Sequence, residues 1–175
     1  MDIKHYYEED GCGFPLVLLH GNGEDSGYIA LLFAMKYPEY VRNLVLNGAN
    51  LNPGGVKPQI QIPIVLGFRI VGLFASKSAK AKRNQELLGL MVLEPELSPQ
   101  DLKKVQARTL VIAGTRDMIR GSHTEEIKRG IAGSRLVLLP GDHFIANKNP
   151  EKFNTAVMAF LRPEDGSGQE RKNVL

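Results

Sequence analysis

Disulfides, tryptophan and long hydrophobic runs are all missing from this chain of 175 residues. Cys12 is its one cysteine, so no intramolecular bridge can form and a reducing, cytoplasmic location is the expectation. The most apolar stretch, residues 60–75, is interrupted by Gln61, Pro63 and Arg69 and is too short to span a bilayer. The first ten residues are polar and acidic, the wrong character for a secretory leader. Metal-ligand spacing is also lacking: His5, His20, His123 and His143 are scattered, and no His-x-x-x-His pair occurs. So is a strong charge imbalance, with a net charge of +3 and a pI near 9.0. The one dense basic cluster, Lys77, Lys80, Lys82 and Arg83, has no aromatic residue interleaved with it. That pattern fits a solvated helix face rather than a nucleic-acid groove. These absences lead to an expectation of no metal, no cofactor, no nucleic acid and no membrane.

What is present is the composition of an ordinary globular protein, 43% hydrophobic and 23% charged, in a chain long enough for one domain with a real core. Residues 3–9 read as an edge strand, and 16–19, apolar throughout, as a strand covered on both faces. Ile29, Leu32, Phe33 and Tyr37 recur at helical spacing until Pro38 stops that helix. Residues 43–46 make the next strand, closed by Gly48. Residues 52–97 differ in character, Gly- and Pro-rich at first, then carrying two apolar-basic helical patterns around 64–75 and 84–93. Ser98-Pro99-Gln100-Asp101 reads as a serine-capped helix start. A strand at 110–113 follows, then a capping box, Ser122-His123-Thr124-Glu125, and a last strand at 136–139. Asn149-Pro150 opens a helix whose inward face is Phe153, Ala156, Val157 and Phe160. Strands alternating with helices predict an α/β fold, a mostly parallel sheet with helices on both faces. It is expected as one domain over residues 1–162, with an insertion at about 52–97 and a disordered tail at 163–175.

The candidate chemistry sits at three strand ends. Pro15-Leu16-Val17-Leu18-Leu19-His20-Gly21-Asn22-Gly23 runs a strand into a glycine turn. Thr109-Leu110-Val111-Ile112-Ala113-Gly114-Thr115-Arg116-Asp117 ends on an acid, and Pro140-Gly141-Asp142-His143-Phe144 carries a histidine after the last strand. A loop directly after a parallel strand presents its side chains at the mouth of the sheet, where a general base must sit. The glycine turn does not fit a dinucleotide site, because position 26, where the third glycine would fall, is Ser26.

This order of fragments resembles the α/β-hydrolase family, whose triad runs nucleophile, acid, histidine along the chain. The resemblance covers residues 1–162. It implies His143 as the base and Asp117 as the acid that fixes its tautomer, with Asp142 as the competing acid. It makes the backbone of Gly21, Asn22 and Gly23 the oxyanion turn, and residues 52–97 the family's cap. The implied reaction is hydrolysis of an ester, or of a related acyl or carbon–carbon bond, in a small molecule and without a cofactor.

The family's serine elbow, Gly-x-Ser-x-Gly, occurs nowhere in the chain. Residues 29–38 resemble the helix that follows that elbow, and the family pattern would place the serine at Glu24. Residues 20–28 resemble the oxyanion loop, which normally lies far upstream. An internal deletion with its junction near Tyr28 and Ile29 accounts for both. It would remove on the order of 60 residues, judged by the length of βαβ units. Strand 15–19 would then be free to take the elbow strand's place, leaving Glu24 and Ser26 as possible surrogate nucleophiles. Asp25 and Ser26 also suit a helix start. Three readings stay open: an impaired hydrolase, a catalytically inactive scaffold or binding protein, and a truncated product without function. Open strand edges favour association in each.

Overall fold

A computed structural model of the chain describes residues 26–94 and 96–162. Three short strands organise it: β1 (Asn43–Asn47), β2 (Arg108–Gly114) and β3 (Arg135–Leu139) form a parallel sheet in the order β1-β2-β3. Leu46 lies opposite Val111, which lies opposite Leu136. Because side chains alternate across a strand, this register sends Leu44, Leu46, Val111 and Leu136 to one face and Val45, Leu110, Ile112 and Val137 to the other. The first face is covered by α1 (Ser26–Lys36) and α4 (Gly121–Gly130), through Leu31, Ala34 and Ile127. The second is covered by α5 (Ile145–Lys148) and α6 (Pro150–Leu161), through Ile145 and Phe160. The central strand β2 is therefore buried along nearly its whole length. A parallel sheet with helices on both faces is the architecture that the strand–helix alternation predicts.

The strands expected at 43–46, 110–113 and 136–139 form, as does the inward face of α6, where Phe153, Ala156 and Val157 join Phe160. α1 forms too, but it buries Leu31 and Ala34 while Ile29, Leu32 and Phe33 are exposed. Its apolar residues surround the helix, so their spacing does not single out the inward face. Two expected helix starts differ. At 98–104 only a 3₁₀ turn forms (Asp101–Lys104), and Ser98 donates from its N–H and its hydroxyl to Asp101. The capping box at Ser122 is not made either. α4 starts one residue earlier, where the Arg120 N–H donates to the Gly55 carbonyl at 2.8 Å, and no side chain caps it. A tertiary contact sets that helix start. The expected strands at 3–9 and 16–19 and the expected tail at 163–175 lie outside the described residues.

Between β1 and β2 the chain makes a helical hairpin, α2 (Pro58–Gly72) and α3 (Ala79–Leu93). Both helices start earlier than the sequence pattern places them. Ser78 caps α3 by accepting from the Ala81 N–H at 3.3 Å. The two helices face each other through Gln61, whose Nε2 donates to the Met91 carbonyl at 3.2 Å. The stems of the hairpin are pinned to the sheet side: Val56 bridges Ile119, and the Leu97 N–H donates to the Leu51 carbonyl at 2.8 Å.

Candidate active site

Two loops at the carboxyl ends of β2 and β3 meet over the sheet, and the reason is Gly114. A Cβ built there would strike the backbone of Gly141 and Asp142, coming within 2.6 Å of the Gly141 carbonyl oxygen. Only glycine lets the loops close. Three backbone hydrogen bonds hold the closure. The Thr115 N–H donates to Leu139, Arg116 to Gly141, and Asp117 back to Gly114, at 2.8, 2.8 and 3.1 Å.

This closure brings Asp117 and His143 together, with His143 Nδ1 2.9 Å from Asp117 Oδ1. The same oxygen accepts the Ile119 N–H at 3.0 Å. Asp117 is 3% exposed and the His143 side chain 11%. Burial works against the Asp117 charge. The hydrogen bonds from His143 and from the Ile119 N–H outweigh it and hold the carboxyl below its ordinary value. An ionised carboxylate only accepts, so Nδ1 carries the ring proton and Nε2 is the basic nitrogen. Asp117 Oδ2 is buried and has no partner among the described residues.

Asp142 turns elsewhere. It accepts the Phe144 N–H at 3.0 Å and pairs with Lys148, and these bonds lower its pKa.

The third strand contributes backbone. Gly48, just past β1, has φ of +56°, and a Cβ on it would lie 2.6 Å from the His143 ring. A side chain there would displace the imidazole as well as strain the turn. The next residue, Ala49, meets the start of α1: a Cβ on Gly27 would lie 2.9 Å from the Ala49 Cβ. The first turn of α1 is thereby seated beside the residues that hold His143. Ser26 is the first residue of α1. Gly21, Asn22, Gly23 and Glu24 lie outside the described residues.

One buried polar residue has a partner that the sequence does not signal. His123, on α4, is 7% exposed and its Nε2 accepts the Leu51 N–H at 3.0 Å. Burial lowers its pKa against the opposing influence of Glu126, with Arg120 lowering it further. The neutral ring ties α4 to the segment after Gly48. A lone histidine in a sequence does not announce such a partner 72 positions away.

No family model matches the chain. In sequence it is 29% identical over 156 residues to the serine hydrolase BPHL of Mus musculus, an overlap covering 79% of this chain and 52% of that protein. The chain thus spans about half the length of the curated relative it matches. Among solved structures it resembles the enol-lactonase from Burkholderia xenovorans LB400, with TM-score 0.57, 17% identity and coverage of 79% of this chain and 63% of that one. It also resembles a hydrolase from Pseudomonas aeruginosa PA01, with TM-score 0.56, 26% identity and coverage of 79% and 62%.

The fold is that of the α/β-hydrolases.

Within this α/β-hydrolase-like fold, Asp117 and His143 follow two adjacent parallel strands. Ligand sites of open parallel sheets lie at these strand ends.

Proposed function

We propose that this chain is a hydrolase-derived protein that keeps the acid–histidine half of a serine-hydrolase site and acts, with impaired efficiency, on esters or related acyl or carbon–carbon bonds of small molecules. The observation that carries this reading is the 2.9 Å contact between His143 Nδ1 and the buried Asp117. Asp117 orients the imidazole and stabilises its protonated form. His143 Nε2 takes the proton of the attacking hydroxyl or water and returns it to the leaving group. The backbone at Gly21, Asn22 and Gly23 holds the oxyanion. No cofactor enters this scheme.

The serine role has no Gly-x-Ser-x-Gly elbow to fill it. An internal deletion near Tyr28 explains this, and the seating of α1 supports it, because Gly27 abuts Ala49, the neighbour of the Gly48 that packs on His143. Glu24 and Ser26, just before and at the start of α1, are the surrogate candidates. The hairpin within residues 52–97 is the cap, and residues 1–162 form the domain that carries it. A second reading, an inactive scaffold, is favoured by the missing elbow itself.

Hydrolysis of a short-chain p-nitrophenyl ester by the monomeric protein, measured beside His143→Ala and Asp117→Asn, separates the two. Turnover on the order of a hundredfold above buffer, lost in His143→Ala, supports the enzyme. Glu24→Gln and Ser26→Ala then identify the nucleophile. Equal rates in wild type and His143→Ala leave the scaffold.

A further inference from the structure

The helical hairpin carries a surface that the hydrolase reading does not use. Ile62, Leu66 and Ile70 on α2 repeat every four residues along the face turned away from α3, and all three are exposed. The stripe runs into the hairpin tip, where Leu73 is 74% and Phe74 56% exposed. The tip is a wound turn, with the Phe74 N–H donating to Val71 and the Lys77 N–H to Phe74 at 3.0 Å each. Two large apolar side chains are therefore held outward on an ordered turn.

The charges nearest them along the chain share one sign, and the first acid beyond is Glu86 in the second turn of α3. From residue 40 to residue 85 the chain has no aspartate or glutamate. Arg69 closes α2, Lys77 lies in the turn, and Lys80, Lys82 and Arg83 occupy the start of α3. All five are exposed, and none is in an ion pair among the described residues. Cations in the first turn of a helix oppose its dipole, so they do not serve the stability of α3.

We propose that this tip docks on an anionic lipid surface, with Leu73 and Phe74 entering the headgroup–acyl boundary and the five cations meeting the lipid phosphates. Exposed apolar side chains ringed by lysine and arginine are the features that hold a helix pair on a membrane rather than through it. No helix among the described residues is long and apolar enough to cross one. A second copy of the chain is a poorer occupant, because it would bring two predominantly basic tips together. A nucleic acid would engage the cations and leave Leu73 without a use.

The test is co-sedimentation of the whole chain with phosphatidylcholine vesicles and with mixed phosphatidylcholine–phosphatidylglycerol vesicles, at low and high salt. The expected result is binding to the mixed vesicles at least about tenfold above that to phosphatidylcholine alone, weakened by salt. Leu73→Ser/Phe74→Ser and Lys80→Glu/Arg83→Glu each lower it by about tenfold with an unchanged circular dichroism spectrum. These side chains are exposed, so both double variants are expected to fold. Absence of binding, equal binding to both vesicle types, or full binding by either double variant would overturn the proposal. So would a wild-type dimer that Leu73→Ser dissociates, which would make the occupant a second copy.

Discussion

The ends of β2 and β3 and the α2–α3 hairpin are organised by opposite rules. At the strand ends every backbone turn is tied to its neighbour, and two glycines remove the side chains that would keep the loops apart. In the hairpin the two helices pack on each other, and Gly89 is the sole buried residue described within them. The first region is fixed by the sheet beneath it, the second mainly by its own turn and stems. An acid and a histidine can therefore be positioned by two adjacent strands without any contribution from a serine elbow. The α2–α3 hairpin, by contrast, should tolerate change, because neither buried core cluster includes a residue of it.

Substitutions sharpen that contrast, the largest effect first. Leu46→Ala removes a side chain with no exposure beneath the site and is expected to cost about 3 kcal/mol in urea unfolding. Leu66→Ala, on the exposed stripe of α2, is expected to stay within about 0.5 kcal/mol. Similar costs at the two positions would erase the distinction between the regions. Gly114→Ala drives a Cβ into the Gly141 and Asp142 backbone and is expected to cost about 2 kcal/mol. It should also separate Asp117 from His143, visible as a change in the His143 ring resonances.

A smaller effect is written into pH. His123 has its pKa lowered from 6.5 in the folded chain, so the unfolded chain binds a proton first as pH falls. Its contribution to stability is whole above pH 6.5 and is lost as the pH drops from there through the folded-state value. Unfolding midpoints measured across that window should fall more steeply for wild type than for His123→Gln, whose amide still accepts from Leu51. Parallel curves would remove His123 from the account. The smallest effect belongs to Asp142→Asn, which breaks an exposed pair with Lys148 and should leave the His143 ring resonances in place. Movement of those resonances would restore Asp142 as a rival acid.

The sheet was legible because its strands are short apolar runs closed by turn residues, Gly48 after β1, Gly114 at the end of β2 and Pro140-Gly141 after β3. Residues 110–113 and 136–139 mark β2 and β3 almost without ambiguity. Asp117 and His143 were legible as candidates because each follows such a run at a similar distance. The buried face of α1 was not, since Ile29, Leu32 and Phe33 are as apolar as the Leu31 that the core takes. Nor was the start of α4, where the Gly55 carbonyl outweighs the local capping pattern. His123 was invisible for the same reason: its partner is Leu51, and only the fold joins them.

The central claim is that Asp117 and His143 form their pair on the strand ends of this chain as it stands. Nitrogen NMR of the His143 ring in wild type and in Asp117→Asn tests it directly. A single wild-type tautomer with the proton on Nδ1 is expected, and a mixed or reversed tautomer in Asp117→Asn. Rapid averaging of both tautomers in the wild-type protein, unchanged by Asp117→Asn, would contradict it.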